Sequence, residues 1–108
     1  MNDFTKLPTV VYTIKGTNLN KGRARTWIEK PVGELAVFGF SADMRVDIEF
    51  LADRIVVTAN PDGKRKPTIR NGKMILDICY PDAQRAAMFN GAARLTVWGE
   101  PGRLIITA

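Results

Sequence analysis

Two blocks of basic residues are the part of this chain best suited to chemistry. Lys15, Lys21, Arg23 and Arg25 precede Ile28 with no acid among them, and Lys64, Arg65, Lys66, Arg70 and Lys73 form a second acid-free block. These nine cations exceed the net charge of +5, and outside the two blocks acids outnumber bases. Lysine and arginine neutralise phosphates and release counterions, whereas arginine and asparagine also bond base edges. Asn18, Asn20 and Asn71 lie beside the cations, in glycine-bounded segments able to approach a nucleic-acid backbone closely. Cations and asparagines together are candidate nucleic-acid contacts, with duplex DNA the expected partner. Trp27 offers a ring for stacking on an unpaired base, although burial in the core is its expected role. The bland reading of a single basic run is a solvated surface, and LysArgLys at 64–66 also suits a soluble linker.

Other chemistries have little to stand on. The chain has no histidine, which removes the commonest general base and metal ligand. Cys79 is the one cysteine, so neither an internal disulfide nor a clustered zinc site is available. Ser41, the one serine, lacks a GxSxG setting. GlyThrAsnLeuAsnLysGlyArg at 16–23 has neither the spacing nor the GlyLysThr or GlyLysSer ending of a phosphate-binding loop. Asp47 and Glu49 share a strand face, which a solvent-facing strand explains better than a hard cation does. The expectation is a protein that is not an enzyme and carries no cofactor or metal.

The elements that position the basic blocks follow from composition and pattern. With 108 residues, 45% of them hydrophobic, the chain is expected to form a single compact domain over 1–108. Its longest apolar run, at 35–40, is far too short to span a membrane. MetAsnAspPheThrLysLeuPro at the start lacks the basic-then-apolar layout of a secretion signal, so a cytoplasmic location is expected.

Residues 45–59, RVDIEFLADRIVVTA, align without a gap on residues 94–108, RLTVWGEPGRLIITA, at an offset of 49. Arg45 meets Arg94, Arg54 meets Arg103, Thr58 meets Thr107 and Ala59 meets Ala108. Each copy reads as an alternating strand, a tight turn and a more continuously apolar strand, a β-hairpin. Ile48, Ile55, Val57, Val97, Leu104 and Ile106 are the expected core positions, and the four arginines are expected to protect edges or form ion pairs. Trp98 suits either the core or a contact with another chain. Upstream of the hairpins lie strands at 10–15 and 23–29, a polar loop at 16–22, a proline-led short helix at 31–39 with a strand as the open alternative over 35–40, a strand at 73–80 and a helix at 81–91. Cys79, in an apolar strand, is expected to be buried. AsnProAspGly at 60–63 is the strongest break and divides the chain into units 10–59 and 60–108. Pro31 matches Pro81 after a one-residue shift, so both units run in the same order.

LysGlyArg at 21–23, Pro31 through Gly39, and the stretch from Gly39 to Thr58 resemble the AbrB/MazE/SpoVT swapped-hairpin family; TrpIleGlu at 27–29 is similar to its SymE-like branch. The resemblance covers 10–59 well and 64–108 more loosely. It implies a mostly β fold with one or two short helices, in which two repeated β-β-short helix-β-hairpin units form a pseudo-dimeric barrel. It also implies a monomer acting as a pseudo-dimer, or a homodimer, that presents its basic loops to DNA in transcription regulation or a toxin–antitoxin pair. The chain departs from the family in holding two units, and its second unit has a turn where the first has an opening strand. The alternative is a small protein-interaction module whose basic face meets an acidic partner. Duplication also requires the two basic groups to converge on one face.

Overall fold

Short β-branched runs punctuated by glycine, proline and asparagine favour strands over helices. In the computed structural model of the chain, strands indeed dominate. The structure describes the backbone of residues 9–15, 18–20, 23–89 and 92–108, and the side chains of 25–89 and 92–108. The order is β1 (Thr9–Lys15), β2 (Asn18–Asn20), β3 (Arg23–Pro31), α1 (Val32–Leu35) with a 3-10 turn (Ala36–Phe38), β4 (Val46–Phe50), β5 (Arg54–Ala59), β6 (Thr68–Arg70), β7 (Lys73–Cys79), α2 (Ala83–Ala86), β8 (Arg94–Glu100) and β9 (Arg103–Thr107). No helix among the described residues is long and apolar enough to cross a membrane.

The strands form two antiparallel sheets, β1-β8-β9-β5-β4 and β2-β3-β7-β6, and neither closes on itself. Both repeated hairpins lie in the five-stranded sheet, joined edge to edge through β5 and β9. Val56 faces Ile105 at the centre of that ladder, Arg54 faces Thr107 and Thr58 faces Arg103. Val56 and Ile105 are aligned positions of the two hairpins, and the two flanking pairs exchange at the same offset of 49, so the register reads the same from either hairpin. The ladder between β3 and β7 repeats the arrangement. Ile28 faces Leu76 at its centre, with Trp27 opposite Asp77, Arg25 opposite Cys79 and Pro31 opposite Lys73. The matching offset there is 50, one more than for the hairpins, and it is the offset that aligns Pro31 with Pro81. One residue fewer therefore separates strand from hairpin in the second half.

Alternation assigns one face of each sheet to a shared core. Ile28, Met74, Leu76 and Ile78 meet Val46, Ile55, Val57, Leu95, Val97, Leu104 and Ile106, with Leu35, Phe40 and Phe89 filling in from the connections. Thr26 is the buried polar exception, and its hydroxyl shares a 2.5 Å hydrogen bond with that of Tyr80. Five of the six expected hairpin core residues are fully buried, and Ile48 is half-buried.

Several elements differ from the sequence reading. The expected loop at 16–22 contains β2, and the span before Lys73 contains β6; both are polar three-residue strands carried by their neighbours. The β6–β7 turn is AsnGly, with Asn71 at φ 54° and Gly72 at φ 75°, the left-handed pair that a two-residue hairpin loop demands. The helix expected over 81–91 is a single turn, capped where Asp82 accepts a 2.8 Å bond from the Arg85 N–H. Trp27 is 41% exposed instead of buried, because the inward positions of β3 belong to its neighbours Thr26 and Ile28. Cys79 is half-buried rather than buried, since it shares the outer face with Arg25.

Truncating the buried hairpin residues tests the face assignment. Leu104→Ala and Ile106→Ala should each cost about 2–5 kcal/mol in chemical denaturation. Ile48→Ala, at a position already partly in solvent, should cost distinctly less.

Candidate nucleic-acid interface

The outer face of the four-stranded sheet carries half of the sequence-predicted site positions. Strand pairing sets Asn18 opposite Arg25 and Asn20 opposite Arg23. On the far side it sets Arg70 opposite Lys73. Directly opposed residues share a face, and so do alternate residues of one strand. Positions 18, 20, 23, 25, 27, 29, 70, 73 and 77 therefore form one surface. Of the five cations expected to converge, Arg25, Arg70 and Lys73 share this face, position 23 lies on it by register and Lys21 lies outside the described residues; the two groups do not meet at one point. The β2–β3 turn lies at the Cys79 end of β7 and the β6–β7 turn at the Lys73 end. Six strand steps between them amount to about 20 Å.

Acids temper this face. Arg25 Nη1 reaches Asp77 Oδ2 at 2.8 Å, the two side chains being about 30% exposed. Its Nε and the Asp77 Oδ1 are shielded from solvent and have no partner among the described residues. Lys73 Nζ lies 3.9 Å from Glu29 Oε2, while Glu29 Oε1 accepts a 3.0 Å bond from the Trp27 indole N–H. Trp27 thus stands in solvent with its ring held in place, at the middle of a surface whose two ends are basic. Lys21 lies outside the described residues, as do the side chains of Lys15, Asn18, Asn20 and Arg23. Lys15 sits in β1, in the other sheet.

The LysArgLys segment does not join this surface as a free run. Arg65 exchanges two backbone bonds with Val46, at 2.8 and 3.0 Å, and its Nη2 donates to the Asp77 carbonyl at 2.9 Å. Arg45, expected to guard an edge, donates to the carbonyls of Gly63 and Lys64. Asp47, expected to face solvent, accepts from Asn60 Nδ2 at 2.7 Å and from the Lys64 N–H at 3.1 Å. Gly63 comes so close that a Cβ there would stand 2.6 Å from the Val46 carbonyl oxygen. The turn after β5 is thereby stapled across the start of β4. Lys64, Arg65 and Lys66 remain exposed. Sequence reasoning missed this staple, for which the AsnProAspGly turn and the paired Arg45 and Asp47 were the available signal. Arg54 and Arg103 behave as expected, pairing with Asp53 and Glu100.

The chain matches no known protein family, no curated protein and no solved structure.

Two measurements test this geometry. Arg25→Ala removes a partner from half-buried Asp77 and should cost about 1–3 kcal/mol, whereas Arg70→Ala, fully on the surface, should fall within about 0.5 kcal/mol of wild type. The second concerns pH. The Asn60 side chain first, then the Lys64 N–H, hold the Asp47 carboxyl below its ordinary value of 3.8. A carboxylate lowered in the folded state stabilises it above the ordinary value and loses that effect as pH falls through the folded one. The Lys64 amide should therefore stay protected from exchange at neutral pH and lose protection only below about pH 4.

Proposed function

We propose that this chain is a non-enzymatic DNA-binding protein, made of two copies of one strand-and-hairpin unit that together do the work of a dimer. The single observation that carries the reading is the outer face of the four-stranded sheet. There the paired strands β3 and β7 carry part of each basic block on one surface, positions 23 and 25 at one end and Arg70 and Lys73 at the other. Cations about 20 Å apart suit phosphates on either side of a groove. The exposed Trp27 and the asparagine positions lie between and beside them, where base edges would come. Ion pairs with Asp77 and Glu29 fix Arg25 and Lys73 in place instead of leaving them as mobile solvating charge. The resemblance of 10–59 to swapped-hairpin proteins supports the same conclusion, and with it a role in transcription regulation or a toxin–antitoxin pair of a bacterium or mobile element.

Gel-shift titration of the purified protein on duplex and single-stranded DNA tests this. Duplex binding with a steep salt dependence is expected. Arg70→Gln with Lys73→Gln should lower the log–log salt slope by about two units, one per phosphate contact, and leave the melting temperature nearly unchanged. Absence of binding by wild type, or a double variant that binds as wild type does, would overturn the reading.

A further inference from the structure

The two ends of the five-stranded sheet are not finished alike. At one end β1 covers β8 in an antiparallel ladder from Ile14 opposite Leu95 through Tyr12 opposite Val97 to Thr9 opposite Gly99. At the other end the matched strand β4 receives one bridge, Val46 to Arg65. There the chain turns away through Asn60–Gly63, closed by a 2.8 Å bond from the Gly63 N–H to the Asn60 carbonyl. Both peptide groups of Val46 are directed to Arg65, so alternation along the strand points those of Ile48 and Phe50 the same way. Among the described residues no further ladder meets them.

Burial records the same difference. The inward residues of covered β8, Leu95, Val97 and Gly99, are all buried. Their counterparts on β4 are Val46, fully buried beneath the bridge, and Ile48 and Phe50, both half-exposed. Along this edge runs a groove of about 540 Å3 lined by Ile48, Phe50, Ile78 and Cys79, with Asp47, Lys64 and Arg65 at its lip. It continues past Phe50 into a hollow of about 220 Å3 bordered by Leu51, Met88 and Arg85. The Tyr80 ring packs on Phe50 at 5.5 Å. The slot is apolar in the middle; at one end the exposed Lys64 and Arg65 outnumber Asp47, and at the other stands Arg85, paired with Asp82 at 2.8 Å.

We propose that the β4 edge binds an extended segment of a partner protein, apolar in its centre and acidic at both flanks, added as a sixth strand antiparallel to β4. Main-chain bonds to Ile48 and Phe50 give the affinity, and alternate apolar side chains fill the groove as Tyr12 and Ile14 take the equivalent places beside β8 by register. The flanking carboxylates meet Lys64 and Arg65 at one end and Arg85 at the other. A second copy of this chain fits less well: β4 paired with itself about Ile48 would set Asp47 against the partner copy's Glu49, two like charges face to face. This surface is separate from the DNA-binding face, and the inference stands or falls independently of it.

The probe is a capped peptide, Glu-Glu-Val-Thr-Val-Thr-Glu-Glu, titrated into isotope-labelled protein and followed by amide resonances. Saturable shifts and slowed exchange at Ile48 and Phe50 are expected, with Val97 unaffected. A peptide with proline in place of both valines should not bind. Lys64→Glu, at an exposed side chain whose charge acts only weakly on the neighbouring Asp47, should weaken the acidic peptide about fivefold and favour its lysine-flanked counterpart, with the unchanged melting temperature as the control for folding. Absence of shifts at millimolar peptide, or shifts confined to the outer face of the other sheet, would overturn the proposal. So would Ile48 and Phe50 amides already protected in a protein that sediments as a dimer, which would assign the edge to a second copy.

Discussion

The antiparallel ladder between β5 and β9 is the contact on which the rest of the molecule depends. A lone hairpin buries too little apolar surface to persist in water. Here each hairpin gains a neighbour of its own kind, and Ile55, Val57, Leu104 and Ile106 form a continuous buried row across the join. Only once that row exists is there a surface wide enough for the second sheet to close over. The ladder also fixes the outer strands. It leaves β8 at one flank and β4 at the other, and so decides which edges the connections must cover.

The second sheet depends on the first for its inner face alone. With Ile28, Leu76 and Ile78 committed to the core, the alternate positions of β3 and β7 are free for polar residues. The ion pairs Arg25–Asp77 and Glu29–Lys73 cross between matched strands far apart in sequence. They tie the two basic ends to a rigid scaffold while lowering the charge available to a ligand. A polar face assembled in this way gives up freely available charge for fixed position.

Much of the fold was legible because hairpins announce themselves. Their alternation, turn residues and repetition at a constant offset identified β4, β5, β8 and β9, and turn chemistry at 60–63 located the turn after β5. What escaped were features set by register between distant strands. Trp27 was assigned to the core by its size, yet whether it points in or out depends on the parity of β3 against β7, which composition does not carry. The three-residue strands β2 and β6 have no apolar period of their own. Cys79 looked buried amid apolar neighbours but is the partner of Arg25. Both basic blocks were visible as charge, and the Asp77 and Glu29 that restrain them were not, because those acids lie in the opposite half or on the alternate strand positions of an otherwise apolar stretch.

The place of β1 has a consequence for how the chain is made. Its partner residues begin at Arg94, 79 positions after Lys15. At ordinary rates of synthesis, about 5–20 residues per second, roughly 4–16 s separate the emergence of the two. Throughout that interval a β-branched strand, TVVYTIK, stands without the ladder that will hold it. The first fifty-odd residues can form their own hairpin but cannot place their leading strand. Placement of β1 therefore waits on the synthesis of β8, and a nascent chain stalled before Arg94 offers a sticky, unpaired strand to chaperones or to its neighbours on the polysome.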